Sequence, residues 1–223
     1  MENGQRWKMT DINDKMRDEW DERATTKAGA IRWITDGYSG GEEAFYALGG
    51  AHLMDMLYAL SLKGISIPKD AIGCEVGCGI GRMTVLMARR FKWLYATDIS
   101  QKMIDKAPKI DNVQYIATGT LRDVLEKVDF VLSHLVFQHM PKDEFYRYLD
   151  EMYDILKPSG VAHFQMHESD KPEEQGDSTI LVRGYTKDEL RDKIDESKWE
   201  IVSLLEPAGI SEVWKFVTLR KRE

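Results

Sequence analysis

The sequence predicts an α/β fold: a three-layer, doubly wound sheet of seven strands, the last one antiparallel, with an N-terminal helical flap. Three observations predict it. From Ala71 onward short apolar runs alternate with helical patterns, as βαβ units do when they build a parallel sheet. The last two strand patterns are joined by "EPAGISE" with no helical pattern between them, so they pair as an antiparallel hairpin. Residues 1–68 carry helical patterns and few strand signals.

In order along the chain, "TDINDKMRDEWDERA" reads as a helix capped by Thr10 or Asp11. "IRWITDGYSGG" follows as a loop rich in aromatics and glycines, and "GEEAFYALGGAHLMDMLYALSLKG" as a second helix. Gly49 and Gly50 break or kink that helix and Gly64 stops it. Trp7, Trp20, Trp33, Tyr38, Phe45 and Tyr46 make residues 1–68 an aromatic flap, packed on the sheet or closing over substrate. Residues 69–223 form the ligand-binding domain. Its strands are expected at 71–76, 93–98, 113–117, 128–133, 161–167, 199–205 and 213–219, and its helices at about 82–91, 100–107, 142–156 and 186–195. Ser100 is placed to cap the second of these helices, Pro141 suits the first turn of the third, and "ILKPSG" reads as a turn before the fifth strand.

With 223 residues, 43% of them hydrophobic, the chain suits one α/β domain plus a small appendage. A formal net charge of -7 weighs against non-specific nucleic-acid binding, which needs a basic face. Cys74 and Cys78 have no zinc-type spacing and no further ligands nearby, so they read as reduced core thiols, with no metal expected. The charged amino terminus has no apolar core and no run approaches transmembrane length, which points to a cytoplasmic protein with no membrane partner.

The densest motif is "CEVGCGIGRMT", Cys74 to Thr84, with Gly77, Gly79 and Gly81 at every second position between a strand and a helix. So much bare backbone suits positive φ or the close approach of a ligand. Such a turn, at the carboxyl end of a parallel strand, is where open α/β sheets bind ligands. The spacing is G-x-G-x-G rather than the dinucleotide G-x-G-x-x-G, and the position three after Gly79 is the bulky Arg82. Glu75 would repel a pyrophosphate and favours a ligand with a cationic amine. "EVGCGIG" resembles the first motif of the class I, seven-stranded, Rossmann-like S-adenosylmethionine-dependent methyltransferases. Later features over Ala71–Glu223 fall in that family's order, "VFQHMP" looking like the loop of its bacterial small-molecule members.

The resemblance implies S-adenosylmethionine as cofactor, held by Glu75, Gly77, Cys78, Gly79, Gly81, Arg82, Asp98, Ile99, Met103, Thr120, Leu121, Ser133 and His134. Asp98, at the tip of the second strand and twenty-one positions beyond Gly77, is placed to accept from the ribose hydroxyls. Many relatives have an acid near Gly119 that meets the adenine amino group. Here "ATGTLRD" has none in that place, leaving the Leu121 amide or the Thr120 hydroxyl, with Asp123 a surface charge. A carbonyl near Ser133 or His134 would accept from the amine of the methionine half.

Methyl transfer is an in-line displacement, so the protein mainly aligns the partners and excludes water; a base is needed only for a protonated acceptor. His139, after the fourth strand, and His167 with Glu168, after the fifth, are the candidates, His139 alternatively ordering its loop. His52 and His163 have no assigned role. The expected reaction moves a methyl group to an O or N of a small-molecule acceptor held between the flap and the polar insertion His167–Tyr185. The alternatives are methylation of a protein amino terminus or another macromolecule and a non-catalytic cofactor-binding subunit; a nicotinamide reductase is disfavoured by the glycine spacing and the hairpin. The sequence says nothing of oligomeric state.

Overall fold

The computed structural model describes residues 9–35, 40–170, 179, 181–208 and 211–223. Three helices lead the chain: α1 (Met9–Arg23), α2 (Lys27–Ile34) and α3 (Gly41–Leu62). Then come β1 (Ile72–Val76), α4 (Thr84–Met87), β2 (Trp93–Asp98), α5 (Gln101–Ile104), β3 (Val113–Ala117) and β4 (Val128–Ser133). The chain closes with α6 (Lys142–Ile155), β5 (Leu156–Glu168), β6 (Gly184–Tyr185), α7 (Lys187–Lys193), β7 (Trp199–Ala208) and β8 (Ser211–Lys221).

The sheet order is β3-β2-β1-β4-β5-β8-β7, with β6 beside β5. The first five strands are mutually parallel, and β8 lies antiparallel between β5 and β7. The result is a Rossmann-like mixed sheet with N-terminal helices. It has eight strands rather than the expected seven, because the two-residue β6 pairs His167 with Gly184 and Glu168 with Tyr185.

Alternation along the strands divides the core. Cys74, Val76, Val131, Ala162, Phe164, Val217 and Leu219 face the core shared with α6 and α7. Phe130, Leu132, Val161 and Phe216 face the other side, where Leu53, Met56 and Leu60 of α3 and Met87 of α4 cover them. A third cluster joins Ala24, Ala30 and Ile31 to Phe45, Ile80 and Met103, fixing α1 and α2 over the glycine turn.

Several local expectations change. Helix α1 already includes Met9, so Thr10 and Asp11 lie inside it and do not cap it. Part of the expected loop is helical: Ile31–Ile34 belong to α2, whose cap Thr26 accepts from the Gly29 N–H at 3.0 Å. Residues 36–39 and Trp7 lie outside the described residues. Helix α4 is one turn long because hydrogen bonds to the third preceding residue tighten both its ends, and Asn112 closes it by donating to the Ala88 and Phe91 carbonyls. Pro141 occupies the cap position just before α6. The expected "ILKPSG" turn is absorbed into β5 as an irregularity. Leu156 pairs with Val128 and Val161 with Phe130, so Lys157–Gly160 bulge outward, with Ser159 at φ +61°.

The largest change is α3, which runs unbroken through Gly49 and Gly50. These glycines serve close packing: a Cβ on Gly49 would sit 2.5 Å from the Arg82 carbonyl, and one on Gly50 2.8 Å from the tip of Leu86. Gly64 does end the helix, at φ +71°. Gly49→Ala is therefore expected to cost about 1–2 kcal/mol net, overpacking against fixed backbone outweighing about 1 kcal/mol of helix propensity. Gly50→Ala, facing a movable side chain, is expected to be neutral or stabilising by up to about 1 kcal/mol. Urea unfolding of the two variants checks the order, and equal effects would contradict it.

Candidate functional site

The glycine turn after β1 uses the freedom the sequence supplies. Gly77, Gly79 and Gly81 have φ of +73°, +55° and +83°. The Gly77 and Cys78 N–H groups donate to the Thr97 carbonyl at 2.8 and 2.9 Å, tying the turn to β2. Asp98, at the end of β2, completes the tie: Oδ2 accepts from the Gly79 N–H at 2.8 Å and Oδ1 from the Ser100 N–H at 2.9 Å. Burial still raises this carboxyl to about pKa 6 against both donors. The space beside the glycines is filled by protein. A Cβ on Gly77 would meet Val136 at 2.2 Å, one on Gly79 Ile34 at 3.0 Å and one on Gly81 Pro108 at 3.1 Å. The bare backbone thus lets the loop after β4 and helix α2 close onto the turn.

Behind the turn lies a buried polar pair. Glu75, 4% exposed, accepts from the Thr84 hydroxyl at 2.6 Å, and burial lifts its carboxyl to about pKa 7. Arg82, 5% exposed, has its Nη2 3.2 Å from His134 Nδ1 and its guanidinium 5.9 Å from the Phe45 ring centre, with no carboxylate in salt-bridge contact among the described residues. Burial lowers it to about pKa 10, with Glu75 pulling the other way. The His134 ring lies 4.9 Å from that of His52, and Ser133 donates to the Val76 carbonyl at 3.1 Å.

A cleft of about 440 Å³ opens between α1 and the loop after β3, with Ile99, the residue after Asp98, in its wall. Ile99, Ala117, Thr118, Gly119, Thr120, Arg147 and Glu151 line it, with Asn13 and Arg17 of α1. The two groups expected for adenine are already engaged: the Thr120 hydroxyl and the Leu121 N–H donate to the two oxygens of Glu151, at 2.8 and 2.7 Å. Arg147 bonds Glu151, Glu144 and the Gly119 carbonyl at 2.7–2.8 Å. Sequence reasoning missed this cluster. Its signal was present: Glu144 and Glu151 lie on the same face of α6 as Phe145, Tyr148 and Met152, where an acid needs a buried partner. Of the residues expected to hold the cofactor, Ile99 and Thr120 line this cleft and Glu75, Gly77, Cys78, Gly79, Gly81, Arg82, Asp98, Met103, Leu121, Ser133 and His134 do not. Met103 is buried with Ile80 under α1 and α2, and the buried Cys78 thiol lies 3.7 Å from the Gly79 carbonyl. Asp123 accepts from Thr118 and is exposed.

The three candidate bases separate. His139 is half-buried in the loop after β4, its ring 6.2 Å from Trp20 of α1, and burial lowers it to about pKa 4. His167 and Glu168 lie at the exposed end of β5, with Glu168 4.0 Å from Lys215. Helix α1 spans the crevice: Asp21 accepts from the Ser100 hydroxyl at 2.5 Å, while Glu19 and Arg23 both bond Thr179 of the insertion. Residues 171–178 and 180 of the insertion lie outside the described residues.

The buried titratable groups set a pH dependence. Burial holds His52 and His139 at about pKa 4, His163 at about 3, and His134 well below the usual imidazole value. Below about pH 6.5 the unfolded chain takes up protons that the folded one refuses, so these groups lose stability as pH falls. Glu75 and Asp98, raised to about 7 and 6, act with the opposite sign: their contribution is full below the unfolded carboxyl range and is lost as pH rises through those values. Stability is therefore expected to fall between about pH 6.5 and 4, and Glu75→Gln, which removes an opposing group, to steepen the fall. Urea midpoints across that range check this; a flat or rising profile toward pH 4 contradicts it.

A family model described as "Methyltransferase domain" matches residues 74–164, from β1 to β5. Over 78 residues the chain is 37% identical to a probable cobalt-precorrin-6B C(15)-methyltransferase (decarboxylating) of Methanocaldococcus jannaschii, covering 32% of this chain and 42% of that protein. Over 74 residues it is 32% identical to a probable ribosomal RNA small subunit methyltransferase A of Methanosarcina acetivorans, covering 31% and 27%. The chain thus spans less than half the length of these curated relatives. Among solved structures, magnesium protoporphyrin IX methyltransferase from Synechocystis PCC 6803, with bound SAM, superposes with a TM-score of 0.66 at 16% identity, covering 94% of this chain and 97% of that one. An N-methyltransferase from Bradyrhizobium japonicum WM9 superposes with a TM-score of 0.63 at 17% identity, covering 93% and 98%. The order of strands, the glycine turn pinned to the end of β2 and these likenesses converge: the chain has the class I S-adenosylmethionine-dependent methyltransferase fold, and its residues 74–164 match the methyltransferase domain.

Proposed function

We propose that the protein is an S-adenosylmethionine-dependent methyltransferase that moves a methyl group to an O or N of a small-molecule acceptor. The observation that carries this reading is Asp98, a carboxylate at the tip of β2 that holds the positive-φ glycine turn and is followed directly by Ile99, which lines the 440 Å³ cleft. A carboxylate has about four acceptor positions, so Asp98 keeps capacity for a ribose hydroxyl pair after serving Gly79 and Ser100. The residues fit the cofactor. The cleft lined by Ile99 and Thr118–Thr120 takes the nucleoside half, with Glu151 keeping the Thr120–Leu121 segment in place. At the other end Arg82, a buried cation without a carboxylate partner among the described residues, suits the carboxylate of an amino-acid tail, and Glu75 balances its amine. The cofactor supplies an activated methyl on a sulfonium; the chain's task is to bind, align and exclude water.

A small acceptor is favoured because α1 closes the crevice, with Trp20 against His139 and Glu19 and Arg23 bonded to Thr179. The acidic chain, at -7, offers little to an RNA backbone. Methylation of a macromolecule is the second reading, since one partial relative is named as a ribosomal RNA methyltransferase.

S-adenosylhomocysteine is expected to bind in calorimetry at about micromolar Kd and NAD poorly, with Asp98→Ala costing about 1–3 kcal/mol of binding, the scale for losing a charged acceptor. Tight NAD binding without S-adenosylhomocysteine binding would overturn the reading. A methyl-transfer screen with labelled cofactor, against metabolite pools and protein and RNA fractions in parallel, then separates the acceptor classes.

A further inference from the structure

The loop after β4, residues 134–141, leaves the sheet through Leu135, a non-glycine residue at φ +62°. A leucine in the left-handed region needs support from its surroundings. Gln165 of β5, 2% exposed, supplies it: its Oε1 accepts from the Leu135 N–H at 3.2 Å. Its Nε2 donates to the Met166 carbonyl at 2.7 Å and to Gln138 Oε1 at 3.0 Å. The kink that results seats Val136 on Gly77.

These contacts fix the direction of every bond in the chain. A backbone N–H only donates and a carbonyl only accepts, so the Gln165 amide has one orientation. Gln138 must then present its oxygen to Gln165 and its NH₂ to His139 Nε2, 3.0 Å away. An NH₂ facing a ring nitrogen requires that nitrogen to be unprotonated, so the His139 proton sits on Nδ1. Nδ1 itself is buried and has no hydrogen-bond partner among the described residues, so the tautomer is set from the Nε2 side alone, while the backbone groups of Leu181 and Thr179 work against the lowering of the ring's pKa by burial. From the other side Arg183 clasps the same segment, its N–H donating to the Gln138 carbonyl at 2.8 Å and its guanidinium to that of His139 at 3.2 Å.

We propose that Gln165 is a positioning residue for the β4 loop and that, through Gln138, it locks His139 as the Nδ1–H tautomer with Nε2 closed to substrate. His139 then anchors the loop and takes no part in moving the acceptor's proton. That the loop borders the transferred methyl rests on the function proposed above. The tautomer does not, so the two can fail separately.

The test is nitrogen-15 NMR on the full chain labelled at histidine, with two-bond proton–nitrogen spectra over about pH 6 to 8 and His139→Asn identifying the His139 signals. One neutral tautomer, protonated at Nδ1, is expected throughout. Gln165→Met, with S-adenosylhomocysteine binding or near-UV circular dichroism confirming its fold, is expected to move the tautomer ratio about fivefold or more toward Nε2–H, the scale of one neutral hydrogen bond. Gln138→Met, which removes only the donor to Nε2, gives the same readout if the first variant does not fold. A wild-type His139 protonated at Nε2, a His139 titrating near the ordinary imidazole value, or a folded variant that keeps the wild-type ratio would overturn the proposal.

Discussion

The site depends on one carboxylate. Asp98 ends β2 and accepts from Gly79 in the turn after β1 and from Ser100 at the start of α5, so two turns are registered against one another by a single side chain. Ser100 extends the tie. It caps α5 by accepting from the Met103 N–H at 3.1 Å and donates to Asp21, which also accepts from the Lys102 N–H, so α1 is bound to the same point. Burial of Asp98 and Glu75 raises both carboxyls. Two acids on one side of the turn make it a poor host for a pyrophosphate and a suitable one for a ligand bearing hydroxyls and an ammonium.

From that point outward the crevice is built by buried polar groups that satisfy each other. Glu151 and Arg147 hold the loop after β3, Gln165 and Gln138 hold the loop after β4, and Thr97 holds the glycine turn. Glu151, Arg147, Gln165 and the Thr97 carbonyl come from neighbouring strands or helices; the loops after β3 and β4 that they help fix carry no more than a single 3-10 turn each, Leu121–Asp123 and Phe137–His139. Loops positioned in this way keep a fixed geometry while helices α1 and α6 complete the cleft's wall with Asn13, Arg17, Arg147 and Glu151.

The βαβ core was legible because burial on both faces of parallel strands leaves near-continuous apolar runs, as in "VDFVLS", and because the glycines at 77, 79 and 81 report the positive φ they adopt. The cap at Ser100 and the stop at Gly64 were legible for the same local reason. What the sequence hid is long-range. Gly49 and Gly50 look like helix breakers and serve instead as a groove for Arg82 and Leu86, more than thirty residues away. The Leu121 amide and Thr120 hydroxyl looked available until Glu151, thirty positions on, was folded against them. His139 had the right place for a base, but only the Gln165–Gln138 contacts show which of its nitrogens is engaged. The eighth strand escaped because two residues carry no period.

The central claim, that the Asp98-pinned turn is the ligand-binding centre, is tested most directly by amide hydrogen exchange with and without S-adenosylhomocysteine. Exchange is expected to slow at Gly79–Arg82, at Asp98–Ser100 and along Gly119–Leu121, with the β7–β8 pair unchanged. Protection absent from all three segments at saturating ligand, or confined to the β7–β8 pair, would contradict it.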